Sequence, residues 1–206
     1  MASPISRIGI RAVLYSMCFV LLVQNLNGQT TMNNQNTTTI DLPEAKRTTL
    51  GLYVTSAEAY EMWKTAPETV KILDVRTPEE FIFVGHAEMA WNIPAFLQTY
   101  EWETSTRRFS MKPEPEFMTK VKQVLKPTDT ILVTCRSGGR SAMAVNQLAA
   151  AGFTKVYNIT DGVEGDPVDD PASVFHGKHV RNGWKNSGLP WTFSVDPKRM
   201  LLPANR

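Results

Sequence analysis

Short apolar runs alternate with segments of helical periodicity from Leu50 onward, and this alternation is the main pattern of the chain. Strands are predicted at residues 52–54, 72–75, 90–93, 131–134 and 156–159. Helices are predicted at residues 56–65, 116–125 and 142–151, with Ser56 as the cap of the first. A shorter helix is predicted to begin at Thr77-Pro78, with Thr77 as its N-cap and Glu80 closing a capping box. Strands that alternate with helices indicate an α/β fold, in which a parallel sheet has helices on both faces.

Cys135 follows the predicted strand 131–134 directly and opens the run Cys-Arg-Ser-Gly-Gly-Arg-Ser. In open parallel sheets the ligand site lies outside the carboxyl ends of the strands, so Cys135 is expected there. The glycine-containing loop and the following helix N-terminus direct backbone N–H groups and partial positive charge at one place. Arg136 and Arg140 add full positive charges. This setting favours a reactive thiolate at Cys135.

The spacing of the loop, a cysteine and an arginine separated by four residues, resembles the active-site loop of the rhodanese sulfurtransferase family. Residues 70–81, with Asp-Val-Arg at their centre, resemble a second element of that family, and residues 183–190 resemble its C-terminal end. The loop of the tyrosine-phosphatase-like families is one residue longer, and this chain has Ser141 where their arginine stands. A persulfide needs a smaller cradle than a phosphate dianion, so the shorter loop favours sulfur.

The resemblance implies a single rhodanese-like domain at residues 49–196, with 197–206 as a C-terminal tail. It implies that Cys135 takes a sulfane sulfur from a small anionic donor such as thiosulfate and holds it as a persulfide. A thiol or a protein cysteine is the expected acceptor, and no metal or other cofactor is expected. The residues expected to bind substrate are Arg136, Ser137, Gly138, Gly139, Arg140 and Ser141.

The orientation of Arg140 is open at this stage, because its side chain can point inward to substrate or outward to a carboxylate that braces the loop. Asp74 is the expected bracing partner, since the aspartate of the family's Asp-Val-Arg element lies beneath the loop. Asp74 is therefore assigned a structural, loop-supporting role. Arg76 is grouped with it as a supporting residue without a defined contact.

Two other classes of function remain open. One is a persulfide carrier or binding module with slow turnover, favoured by two long connections at residues 95–115 and 160–182. Both are expected to wall the pocket and to set the acceptor. The other class is a phosphatase or arsenate-reductase-like enzyme on the same fold. His176 and His179 lie in the second connection, but they lack a recognised metal-ligand spacing, so no metal site is predicted there.

The first 28 residues have the order of a secretory signal peptide, with Arg7 and Arg11 before an apolar run and Gly28 as a small residue at the end. A retained N-terminal anchor is the alternative. The polar residues 29–48 are expected to be a flexible linker. Cleavage would lower the 22 basic residues to 20, equal to the 20 acidic ones, so neither nucleic acid nor an anionic membrane surface is expected as a partner. Cleavage would also remove the apolar run, so no stable membrane anchor is expected in the mature chain. The mature chain would be periplasmic or secreted, with Cys135 as its one cysteine.

Overall fold

A parallel sheet is the centre of the structure, a computed structural model that describes residues 41–202. The strands are β1 (Tyr53–Val54), β2 (Val70–Asp74), β3 (His86–Ala87), β4 (Trp91–Asn92), β5 (Phe96–Glu103), β6 (Arg108–Pro113), β7 (Thr130–Thr134), β8 (Val156–Ile159) and β9 (Trp191–Thr192). The helices are α1 (Ser56–Thr65), α2 (Pro78–Val84), α3 (Phe117–Val124) and α4 (Gly139–Ala150). The central sheet has the order β1-β8-β7-β2-β4, and its neighbouring strands are all parallel.

Both faces of this sheet are covered by helices. Successive residues of a strand point to opposite sides of the sheet, so one strand contributes apolar side chains to both faces. Ile131 and Val133 of β7 join a buried cluster that includes Phe117 of α3 and residues of α4. Leu132, between them, joins the opposite cluster, which includes Phe81 of α2 and a residue of α1. The predicted α/β fold with a two-sided parallel sheet is confirmed.

Helices α1 and α2 each begin directly after a polar residue whose side chain caps the helix. Thr77 caps α2, and Glu80 closes the capping box, as the sequence predicts. In α1 the capping residue is Thr55, which forms a capping box with Glu58, and Ser56 is the first helical residue. The prediction that Ser56 caps α1 is therefore wrong by one residue, since the Thr55 side chain is the one that reaches the free N–H group.

Residues 95–115, predicted to be a long loop, form the antiparallel β5–β6 hairpin instead. The strands pair from Phe96 and Pro113 at the base to Glu103 and Arg108 near the tip. Phe96 and Leu97 are buried at the base of this hairpin, but most of its other residues are exposed or half-buried, because beyond the base its strands pair mainly with each other. The alternation of buried and exposed positions that identifies a strand in sequence is therefore absent here.

The predicted signal peptide (1–28) and the first part of the predicted linker lie outside the described residues. The last part of the linker is packed against the domain: Glu44–Lys46 form a 3₁₀ turn, and the Lys46 ammonium donates to the carbonyl of Thr160 at 2.8 Å. A flexible linker is thus wrong for these residues, because their polar groups bond to the loop that follows β8.

The start of the predicted C-terminal tail also belongs to the domain. Pro197–Arg199 form a 3₁₀ turn, and the N–H of Leu201 donates to the carbonyl of Asn92 at 2.9 Å, beside the free edge of β4. Within residues 41–202, the helices are too short or too polar to cross a lipid bilayer.

Candidate functional site

Cys135 lies at the carboxyl end of β7, at the base of a cleft, and only 1% of its surface is exposed. Its sulfur accepts a hydrogen bond from the N–H of Gly138 at 3.2 Å. The hydroxyl of Ser141 lies 3.4 Å from the same sulfur. The long helix α4 begins at Gly139, so its N-terminus directs partial positive charge toward the thiol. Among the N–H groups of residues 136–140, that of Gly138 is the one that contacts the sulfur.

Two glycines allow the backbone to close around the thiol. Gly138 has φ of 98°, and a Cβ at this position would lie 2.3 Å from the carbonyl oxygen of Thr160. A Cβ at Gly162 would lie 2.6 Å from the carbonyl oxygen of Cys135. Gly139 has a helical conformation with open space around it. Of the two glycines in the loop, only Gly138 has a left-handed conformation, because the helix has already begun at Gly139.

The segment after β8 holds the backbone of the cysteine loop from one side. The N–H of Val163 donates to the carbonyl of Cys135 at 2.8 Å, and the N–H of Glu164 donates to the carbonyl of Arg136 at 2.9 Å. The Arg136 side chain is 45% exposed and lies 3.4 Å from the Glu164 carboxylate. Arg136 therefore faces solvent at the rim of the cleft.

Arg140 points outward and forms a two-point ion pair with Glu80, with N–O distances of 2.7 and 2.6 Å. Burial disfavours the charged form of both side chains, but the hydrogen bonds and the opposite charge of the partner outweigh it. The pKa of Glu80 is therefore lowered and that of Arg140 is raised. Of the two orientations open from sequence, the bracing one is therefore observed. The prediction that Asp74 is the bracing partner is wrong, because the carboxylate that holds the Arg140 guanidinium is that of Glu80, on α2.

Asp74 is instead paired with Arg76, and both side chains are fully buried. The guanidinium Nη2 lies 2.7 Å from the Asp74 carboxylate and 2.8 Å from the carbonyl oxygen of Gly85. Burial acts to lower the pKa of Arg76, but the negative charge of Asp74 more than offsets this and the pKa is raised. This pair joins the end of β2 to the end of α2. Its support of the cysteine loop is indirect, through the backbone bond from Val75 to Thr134.

Asn158, at the end of β8, is a site residue that sequence reasoning missed. It is fully buried, and its amide nitrogen donates to the carbonyls of Gly138 and Lys46, both at 3.0 Å. These two bonds fix the orientation of the amide, so its oxygen accepts the hydroxyl proton of Ser141 at 2.6 Å. Its position beside Val133 in the register of the adjacent strands places it below the loop. The sequence feature that could have identified Asn158 is its position as a polar residue near the end of an apolar strand.

The cleft above Cys135 has a volume of about 890 Å³. One wall is the β5–β6 hairpin, where Trp102 and Phe109 pack edge to face with ring centres 5.3 Å apart. The segment that follows β8 contributes Pro167 and His179 to the lining. The expectation that residues 95–115 and 160–182 wall the pocket is confirmed.

The predicted site residues fall into three positions around this cleft. Those that line it are Cys135, Arg136, Ser137, Gly139 and Arg140. Gly138 and Ser141 lie behind the thiol and contact its sulfur. Asp74 and Arg76 lie deeper, under the sheet end. Within residues 41–202, no three His, Cys, Asp or Glu side chains are close enough together to hold a metal ion.

Comparison with known proteins gives a consistent set of relatives. A sequence model described as the rhodanese-like domain matches residues 55–165. Thiosulfate sulfurtransferase 18 of Arabidopsis thaliana is 42% identical over 92 residues, which are 44% of this chain and 61% of that protein. Thus less than two thirds of this relative's length is covered. Thiosulfate sulfurtransferase 16, chloroplastic, of the same plant is 40% identical over 45% of this chain and 69% of its own length.

Two further matches cover almost the whole of the other protein. The uncharacterized protein RP600 of Rickettsia prowazekii is 31% identical over 68% of this chain and 96% of its own length. Among solved structures, the crystal structure of Rv0390 from M. tuberculosis is 27% identical, with a TM-score of 0.51, over 68% of this chain and 96% of that one. The similarity is therefore one of a whole domain.

Proposed function

Because this chain belongs to the rhodanese-like domain family, we propose that it is a sulfurtransferase that carries a sulfane sulfur on Cys135. The observation that carries the proposal is the position of the Cys135 sulfur, at the base of a cleft and 3.2 Å from the Gly138 N–H at the start of α4. An N–H donor and a helix N-terminus stabilise negative charge on sulfur. The relatives named thiosulfate sulfurtransferase support thiosulfate as a donor.

The reaction has two transfers. The Cys135 thiolate attacks the outer sulfur of thiosulfate, a new S–S bond forms, and the old one breaks as sulfite leaves with its electron pair. The persulfide on Cys135 extends into the cleft. A nucleophilic acceptor then bonds to the outer sulfur, and Cys135 leaves again as thiolate. The transferred sulfur keeps its oxidation state, so the chemistry needs no redox cofactor.

The phosphatase-like alternative is disfavoured by one contact. The guanidinium of Arg140 is held by the Glu80 carboxylate at 2.6 and 2.7 Å, so it is not directed at an oxyanion above the thiol. A carrier with slow turnover remains the second candidate. It is favoured by the hairpin that overhangs the cleft, since the exposed Trp102 and Phe109 offer a surface for a partner protein.

The test is the intact mass of the protein before and after incubation with thiosulfate, with Cys135→Ala as the control. We expect the wild type to gain the mass of one sulfur atom, to lose it as thiocyanate on addition of cyanide, and the variant to gain nothing. Fast turnover would identify an enzyme, whereas stable loading with slow turnover would identify a carrier. No gain from thiosulfate or from a polysulfide would refute the proposal. Hydrolysis of an aryl phosphate through Cys135 would support the phosphatase class instead.

We also propose that the protein works outside the cytoplasm, in the periplasm or as a secreted protein, after removal of residues 1–28. The support is the residue order of that segment alone. The N-terminal sequence of the protein recovered from its source organism tests this. A chain that starts at Gln29 agrees with cleavage, and a chain that retains Arg7 in a membrane fraction indicates an anchor.

A further inference from the structure

His179 lies on the wall of the cleft that contains Cys135, on the segment between β8 and β9, beyond the part of the chain that the family model matches. It is half-buried, and its Nδ1 lies 2.5 Å from the carbonyl oxygen of Gly165. A carbonyl oxygen only accepts hydrogen bonds, so Nδ1 carries a proton. The neutral ring therefore has its lone pair on Nε2, which is the tautomer that a base needs.

The position of this ring is fixed by the folding of its own segment. Residue 179 pairs with Pro167 in a short antiparallel bridge, and the carbonyl of Lys178 accepts the N–H of Val168 at 3.0 Å. The amide of Asn186 donates to the His179 carbonyl at 3.3 Å. Contacts on both sides of the residue therefore hold the histidine at the cleft rather than in solvent.

The cleft is also larger and more apolar than an inorganic sulfur anion requires. Its volume is about 890 Å³, and Trp102, Phe109, Met111 and Pro167 form apolar parts of the lining. Thiosulfate or cyanide would fill only a small part of it. The space suits an acceptor in which the reacting sulfur is attached to a carbon skeleton.

We propose that His179 is the general base for an organic thiol acceptor, a role that rests on the proposed persulfide at Cys135. Nε2 takes the proton from the acceptor thiol. The resulting thiolate forms an S–S bond to the outer sulfur of the persulfide, and the bond from that sulfur to Cys135 breaks. Cys135 leaves as thiolate with the bonding electrons, and the imidazolium of His179 then releases its proton to solvent. A new organic persulfide is the product, and no oxidant or reductant is consumed.

The charges around His179 are mostly paired. Glu80 and Arg140 neutralise each other, Arg136 lies near Glu164, and Asp166, next to Gly165, is paired with Lys46. The other charged groups that line the cleft are Glu103, Arg107 and Arg108, and the charged neighbours along the chain are Lys178 and Arg181. The arginines favour formation of the acceptor thiolate in the cleft.

His179→Asn tests this role, because its amide can still donate to Gly165 while the base at Nε2 is lost. Protein loaded with thiosulfate and freed of excess donor is mixed with 2-mercaptoethanol or with sulfite, and the loss of the persulfide is followed. The sulfite dianion has a lone pair on sulfur and no proton to lose. We expect the ratio of the thiol rate to the sulfite rate to fall about tenfold or more at neutral pH in the variant. The difference should narrow above about pH 8.5, where a free thiol ionises in solution.

His176→Asn is the matched control, since His176 is exposed on the same segment and does not line the cleft. It should keep the wild-type ratio. An unchanged ratio in His179→Asn, or a defect that stays constant with pH, would overturn the proposal. His179→Gln is scored in the same way if the asparagine variant does not fold. If the wild type cannot be loaded at all, the failure lies with the proposed function and appears before any acceptor is added.

Discussion

Arg140 and Glu80 are 60 positions apart in the chain, yet they form a two-point ion pair that fastens the first turn of α4 to the first turn of α2. Glu80 also accepts the N–H of Thr77, so one carboxylate both caps α2 and holds the arginine of the cysteine loop. The guanidinium thereby becomes part of the frame of the loop. The partial positive charge at the thiol comes instead from the N–H of Gly138 and from the start of α4.

Glu80→Gln should weaken this frame. The two side chains are 19% and 25% exposed, so loss of the carboxylate leaves a largely buried guanidinium without its charge partner. We expect a decrease of about 1 to 3 kcal/mol in the free energy of unfolding, between the values for exposed and buried pairs. Urea denaturation measures it. Glu61→Gln, which breaks the exposed pair with Lys64, is the control and should leave the urea midpoint unchanged. Equal effects from the two variants would contradict the assigned role.

The stabilisation from Glu80 should also depend on pH. The pKa of Glu80 is lowered from 4.5, because the hydrogen bonds and charge of Arg140 outweigh the effect of burial. A carboxyl whose pKa is lower in the folded state contributes its stabilisation above the unfolded pKa and loses it as pH falls through the folded pKa. The difference in unfolding free energy between wild type and Glu80→Gln should therefore be full at neutral pH and shrink below pH 4.5. A difference that is constant with pH would show that the charge is not the cause.

Gly138→Ala should abolish persulfide loading. A left-handed conformation costs an alanine about 1 to 2 kcal/mol, and the added Cβ would lie 2.3 Å from the Thr160 carbonyl oxygen. The N–H that contacts the Cys135 sulfur must then move. Gly139→Ala is the control, since this helical glycine has its nearest contact at 3.8 Å and should load normally. Intact mass after thiosulfate measures both, and normal loading of Gly138→Ala would show that the loop tolerates another path.

Trp102→Ala should change the KM for an organic acceptor more than it changes the free energy of unfolding. Trp102 is 57% exposed and touches Phe109 across the hairpin, an edge-to-face pair worth about 0.5 to 1.5 kcal/mol. We expect a higher KM for an aromatic thiol acceptor and an unchanged KM for sulfite. Tyr100→Ala is the control, because Tyr100 is more exposed and does not line the cleft. Equal changes in both variants would argue against Trp102 as a wall of the acceptor site.

The strands of the central sheet and the helices could be predicted because each buries a face, and burial leaves a periodic apolar pattern. Val70–Asp74 and Thr130–Thr134 were found in this way. The β5–β6 hairpin could not be found, since its strands satisfy their backbone groups by pairing with each other and bury little. The ends of the domain were misplaced for a related reason: Lys46 and Leu201 join it through hydrogen bonds to distant residues, which have no local pattern.

At the site, the residues within the loop could be predicted because their spacing is local. Cys135 and Gly138 have the expected contact. The partners from other elements could not be predicted, since several carboxylates follow β2 and only the fold decides which one reaches Arg140. The family pattern favours Asp74 as the partner of Arg140. In the structure, however, the Asp74 carboxylate accepts hydrogen bonds from Arg76, two residues along the chain, and forms a buried ion pair with it.

Asn158→Asp should lower the reactivity of the Cys135 thiol, because Asn158 holds the backbone and Ser141 beneath the cysteine loop. Asp has no N–H group to donate to the carbonyls of Gly138 and Lys46, and it places a negative charge close to Ser141 and the sulfur. We expect alkylation of Cys135 by iodoacetamide to slow about tenfold, and each unsatisfied buried carbonyl to cost about 1 to 3 kcal/mol. Asn146→Asp is the control, because Asn146 only accepts hydrogen bonds from Thr49, which a carboxylate can also do. If the two variants react with iodoacetamide at the wild-type rate, Asn158 supports the fold but not the thiolate.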